Sequence, residues 1–126
     1  MTPPPEALLT QARRLCDDQH CDRAFWATRA ATVLARQAME AWLEAYWEVT
    51  DPAVGRLGSL RTRFLLLHAM MPPPAPARAY ATWSRLSEAC HHYSHDLPPS
   101  PDDVRAWVED AAAFASALHD AARRRR

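Results

Sequence analysis

"RAFWATRAATVLARQAMEAWLEAYWEV", residues 23–49, contains neither proline nor glycine, and its apolar residues return every three or four positions. Phe25, Trp26, Ala30, Val33, Leu34, Ala38, Ala41, Trp42, Ala45, Tyr46 and Val49 follow that spacing, which predicts one long amphipathic helix whose aromatic-rich side either fills the bundle core or supplies a dimer surface. Glu40, Glu44 and Glu48 form an i, i+4 stripe on the other side, with Arg36 one turn before Glu40. Asp22 is placed to cap the helix, its carboxylate accepting orphan N–H groups of the first turn.

A helix of this length needs partners to cover its apolar side, and the remaining segments supply them between proline clusters. Glu6 to Cys16 reads as a short helix with Leu8, Leu9, Ala12 and Leu15 on one side, and Asp17 to His20 is a polar break. "TDPAVGRLGS", residues 50–59, ends the long helix and holds both glycines of the chain. A third helix runs from Ser59 or Leu60 to Met71, and "PPPAP" stops it. The fourth, Ala77 to Asp96, has Tyr80, Trp83, Leu86 or Ser87, Cys90 and Tyr93 as its buried stripe. In the last helix Ser100 is the cap, Pro101 the first residue, and Asp103 completes a near capping box. Val104, Trp107, Val108, Ala111, Phe114 with Ala115, and Leu118 face inward as far as Ala122. No strand-period run intervenes. The expected fold class is all-α: an up-and-down bundle of four main helices plus a short N-terminal one. Residues 1–21 form the N-terminal segment, 22–122 the bundle and 123–126 a basic tail.

Composition narrows the function. The 126 residues carry 15 basic and 15 acidic side chains, so no global basic field marks a dedicated DNA binder. Every basic side chain other than histidine is arginine, a usage bias that argues against reading each one as a ligand. The Arg123–Arg126 run reads as a solvated tail or a loose nucleic-acid contact. "MTPPPEALL" lacks the features of a signal peptide, and no run of about 18 apolar residues suggests a membrane span. Cys16, Cys21 and Cys90 do not make an even disulfide set, so reduced cysteines in a cytoplasmic location are expected. No Gly-rich phosphate loop and no Gly-x-Ser-x-Gly elbow is present, which counts against P-loop, nicotinamide and hydrolase chemistry.

Chemistry concentrates in "RLSEACHHY", residues 85–93. At about 100° per residue, Arg85, Glu88, His92 and His95 share one polar stripe, and His91 lies roughly 120° from Arg85. One reading is a solvated polar face with Arg85 and Glu88 weakly paired. A second is a metal site drawn from Cys90, His91 and His95 with Cys16, His20 and Cys21. Cys90 falls in the apolar stripe, however, and no recognised zinc spacing is present. The third is phosphate chemistry: arginine offers a planar fork to phosphate oxygens, and histidine moves a proton near neutral pH. "RFLLLH", Arg63 to His68, has a similar spacing, but Leu65 to Leu67 make it read as core.

Two distant stretches together resemble the HEPN superfamily, the higher eukaryotes and prokaryotes nucleotide-binding domains. "LARQAMEAWLEAYW", residues 34–47, resembles that family's first long helix, with Gln37, Ala38, Met39 and Glu40 matching its Gln-Ala-x-Glu pattern. Arg85-x5-His91, with Tyr93 two residues beyond, resembles its Arg-x4-6-His motif ahead of a final capped helix. Arg85-x6-His92 fits the outer limit but loses the aromatic step. The resemblance spans residues 22–122. It implies a helical bundle that forms a homodimer and a metal-independent endoribonuclease of toxin or defence type, with RNA as substrate and no cofactor. Arg85 would hold the phosphate and His91, or else His92, would be general base or acid. Gln37, Glu40, Glu88, Tyr93 and His95 would support them. Active members often carry a polar residue after the arginine, where this chain has Leu86. The alternative is therefore an inactive HEPN-like module that binds an antitoxin, a nucleotidyltransferase or another protein. A third reading is a metal- or small-ligand-binding bundle.

Overall fold

The structure, a computed structural model, describes residues 3–17, 24–91 and 99–125. Among them every regular element is helical: α1 (Pro5–Asp17), α2 (Ala24–Thr50), α3 (Pro52–Gly55), α4 (Leu60–Leu65) running into a 3-10 turn (Leu66–Ala69), α5 (Ala75–His91) and α6 (Pro101–Arg124). The all-α expectation holds. α2 is the hub, packing against α1, α5 and α6, while α6 also meets α1 and α5. Among the described residues no helix is long and apolar enough to cross a membrane.

Local chemistry sets the helix starts. Ser100 Oγ accepts from the Asp103 N–H at 3.1 Å, with Pro101 as the first helical residue. Ser59 Oγ accepts from the Thr62 N–H at 3.1 Å and opens α4. Asp51, expected only to end α2, also begins α3: its Oδ1 accepts from the Ala53 N–H at 3.2 Å. α5 starts at Ala75, two residues earlier than expected, because Pro76 sits in its first turn, where a missing N–H breaks no helical bond. The side chain of Phe25, the cap at Asp22 and the far end of the fourth helix at Asp96 lie outside the described residues.

The buried face of α2 takes in only part of the apolar spacing read from the sequence. Ala27, Ala31, Ala35, Ala38, Met39, Leu43, Tyr46 and Trp47 are buried, whereas Trp26 is 63% and Val49 85% exposed and Ala45 is also exposed. Apolar residues occupy both sides of this helix, so periodicity alone selects no single face. Packing selects the one with small residues, because three helices must approach the same axis closely. The exposed Trp26 ring meets Arg29 instead, whose guanidinium carbon lies 5.8 Å from its ring centroid.

The expected continuous third helix is likewise corrected. It tightens to a 3-10 turn after Leu65, which leaves Leu65 and Leu66 exposed while Phe64 and Leu67 are buried. The expectation that Leu65 to Leu67 all lie in the core fails, since the i, i+3 pair Phe64 and Leu67 takes the inward positions. Phe64 joins three helices. Its ring centroid lies 5.0 Å from Trp83, 6.4 Å from Tyr80 and 5.7 Å from Phe114. Trp47 pins the same segment to α2 by donating its indole N–H to the Arg63 carbonyl at 3.1 Å.

α1 belongs to the same core: Leu9, Ala12 and Cys16 pack with residues of α2 and α6. A two-toothed ion pair closes its outer edge. Arg13 Nε meets Glu109 Oε1 at 2.7 Å and Nη2 meets Oε2 at 3.1 Å. The Arg13 guanidinium holds the Glu109 carboxyl below the usual carboxylate range. Both side chains are about half exposed, at 46% and 56%, so solvent screens much of the attraction.

Phe64→Ala should destabilise the fold by about 3–5 kcal/mol, and Leu65→Ala should change it by no more than about 0.5 kcal/mol; urea unfolding of both variants separates the two. A second expectation follows from the ion pair. A carboxyl lowered in the folded state stabilises above its unfolded pKa and loses that contribution as pH falls through the folded value. Glu109→Gln should thus cost less than about 1 kcal/mol at neutral pH. The gap from wild type should close below about pH 4, read from thermal melts across a pH series.

Candidate functional site

α2 and α5 pack side by side, and their contact carries the polar residues singled out in the sequence. On α5 the buried positions Ala79, Thr82 and Leu86 face the core. Trp83, Ser87 and His91, spaced four apart, form the neighbouring stripe at the edge of that face. Arg85 and Glu88 are exposed. On α2, Arg36 and Glu40 are one turn apart and each about three-quarters covered, at 24% and 27% side-chain exposure.

These residues form a chain across the two helices. Trp83 Nε1 donates to Glu40 Oε1 at 3.0 Å. The same oxygen lies 3.6 Å from Arg36 Nε, an i, i+4 ion pair. Arg36 Nη1 then lies 3.5 Å from Nε2 of the exposed His91. When Nε2 is the bare imidazole nitrogen, Arg36 is the donor. When Nε2 carries a proton, two donors face each other and the contact turns repulsive. Two polar atoms in this region are buried with no hydrogen-bond partner among the described residues, Arg36 Nε and Ser87 Oγ.

Of the expected site residues, Glu40 is engaged: it is held by Trp83 and Arg36 rather than facing water. Gln37, next to Arg36, is exposed. The Arg85 side chain makes no hydrogen bond or ion pair among the described residues, so the expected Arg85–His91 pair is not in hydrogen-bond contact within one chain. The helical turn accounts for this, since six positions carry the two side chains roughly 120° apart around the axis. His92, Tyr93 and His95 lie outside the described residues. Leu86, beside Arg85, is fully buried and belongs to the core.

Sequence reasoning passed over Arg36, Trp83 and Ser87 as site residues. The Arg36–Glu40 spacing was a visible signal, but the partner of Arg36 on α5 is 55 positions away and leaves no local trace. Cys16 and Cys90 both lie against neighbouring helices. Cys16 is buried in the core, and burial pushes its thiol pKa up, which favours the neutral form. Cys90 turns toward α2, its Sγ 3.8 Å from Thr32 Oγ1. The Thr32 hydroxyl proton is directed to the Arg29 carbonyl at 2.7 Å, so the thiol is the donor to Thr32. Among the described residues no three His, Cys, Asp or Glu side chains converge, and His20 and Cys21 lie outside them.

Elsewhere, a groove of about 590 Å³ between α2 and α6 is lined by Trp42, Tyr46, Val49, His119 and Asp120, with Glu6 at its edge. Glu6 accepts from the Trp42 indole N–H at 3.3 Å. This groove lies further along α2, beyond Glu40, and is separate from the Arg36–His91 contact. Comparison of the chain with models of known protein families, with curated proteins and with solved structures finds no match.

Proposed function

We propose that this protein is a HEPN-like helical module that acts as a metal-independent endoribonuclease through an arginine–histidine pair. The supporting observation is the position of His91: an exposed imidazole at the end of α5, 3.5 Å from a guanidinium. A proton carrier beside a fixed cation is what cleavage next to a ribose 2′-hydroxyl requires. His91 takes the 2′-hydroxyl proton, and the 2′-oxygen attacks the adjacent phosphorus. The phosphorus–5′-oxygen bond breaks, and the leaving oxygen takes a proton from an acid. Arginine stabilises the charge that builds on the non-bridging oxygens. A symmetric homodimer would bring two His91 rings to one interface, one as base and the other as acid.

The second reading is a binding module whose partner is an antitoxin, a nucleotidyltransferase or another protein. It is favoured by the buried Leu86 and by the exposed Trp26, Val49, Leu57, Leu65 and Leu66.

Purified protein should cut RNA to ends bearing a 2′,3′-cyclic phosphate, leave DNA intact and tolerate a chelator. His91→Ala should lose about 10²- to 10⁴-fold in rate while keeping its helical circular dichroism. His92→Ala should lose much less. A wild-type protein that cuts no RNA would hand the lead to the binding module, and a dead His92→Ala beside an active His91→Ala would move the base to His92.

A further inference from the structure

We infer that the phosphate-holding arginine of this site is Arg36, on α2, and that Arg36 and His91 form one anion clamp across the α2–α5 contact. The inference rests on the ribonuclease reading for its ligand, a phosphodiester of RNA. Its evidence is the arrangement of Arg36 itself.

An arginine that binds phosphate well is one whose fork is held before the ligand arrives, because a free side chain must lose its rotamer freedom on binding. Arg36 meets that condition. Its side chain is three-quarters covered, its Nε is buried, and Glu40 stands 3.6 Å from that nitrogen. Glu40 is fixed in turn by the Trp83 indole N–H at 3.0 Å. The root of the guanidinium is thus set by two helices, while its Nη1 end reaches the exposed His91. Arg85 has the opposite character, its side chain being exposed and without hydrogen bond or ion pair among the described residues.

The donor count supports the same assignment. A guanidinium carries five N–H donors. Arg36 uses them on one ion pair at 3.6 Å and one contact at 3.5 Å, both long for a charged hydrogen bond. Phosphate oxygens would satisfy the remaining Nη donors better than either present partner. Ser87 Oγ, buried and without a hydrogen-bond partner among the described residues, lies on the α5 stripe between Trp83 and His91. The reaction itself also calls for an anion here. Once His91 takes the 2′-hydroxyl proton, two cations face each other, and the negative phosphate between them removes the repulsion. Glu40 and Trp83 are positioning residues, acting on the substrate only through Arg36.

The test uses full-length protein with two probes, inorganic phosphate and a 2′-O-methyl oligoribonucleotide that cannot be cut. Binding of the oligonucleotide is read by fluorescence anisotropy, and the Trp83 indole N–H resonance reports the state of the Glu40–Arg36 link. In wild type, phosphate should shift that resonance. Arg36→Gln should abolish the shift and weaken oligonucleotide binding by about 10- to 100-fold. Arg36→Lys, which keeps the charge beside Glu40, should still bind several-fold more weakly because a point charge does not replace the fork. It serves as the second variant if Arg36→Gln fails to fold. Arg85→Gln should bind as wild type does. Loss of binding in Arg85→Gln with none in either Arg36 variant would overturn the inference and leave the ribonuclease reading standing. A phosphate shift present in wild type and absent in the Arg36 variants, in a protein that cuts no RNA, would uphold the clamp and sink the ribonuclease. A wild-type protein that answers to neither probe would overturn the clamp.

Discussion

Everything in this fold depends on how closely three helices can approach α2. Ala27, Ala31, Ala35 and Ala38 make one side of α2 nearly smooth, and Met39, Leu43 and Trp47 extend it toward the helix end. Alanine in a helix costs no side-chain entropy and leaves room for a neighbouring backbone. α1, α5 and α6 settle against this smooth side, and the large residues that fill the remaining space come mostly from them: Leu9, Leu86, Val104, Val108 and Phe114. Phe64 then closes the end of the bundle between α5 and α6.

The same close approach creates the polar chain at the α2–α5 seam. Only where the helices pass near each other can the Trp83 indole reach Glu40 at 3.0 Å while Arg36 reaches His91. A partly covered carboxylate and guanidinium are tolerated there because each has a partner, and the open side of His91 keeps the end of the chain in solvent. The site and the core therefore share one cause. A change that pushed α5 away from α2 would disturb the Glu40–Trp83 hydrogen bond before it reached the exposed imidazole.

Helix type and helix ends were legible because they are decided within a few residues. Ser59 and Ser100 cap as their hydroxyls allow, and the proline clusters interrupt where proline lacks a donor. Three features were not legible. α2 has apolar residues on both sides, so Trp26 and Val49 shared the spacing of the buried residues although both are exposed. The leucine run at 65–67 looked uniformly buried, yet a tightening from α-helix to 3-10 turn sent two of the three outward. The arginine–histidine pairing looked local, between positions 85 and 91, while the contact that forms joins positions 36 and 91.

By itself, then, the sequence determined the all-α class, the approximate spans of the first, second and last helices, and the two stretches, 34–47 and 85–93, in which polar chemistry is set among apolar residues. Those are consequences of backbone hydrogen bonding, proline and periodicity, all short-range. Tertiary structure alone decided which face of α2 turned inward and which arginine stood beside His91. Both depend on the distance and rotation between packed helices, here seen in a contact between residues 55 positions apart, quantities that side-chain packing sets and that no local pattern encodes.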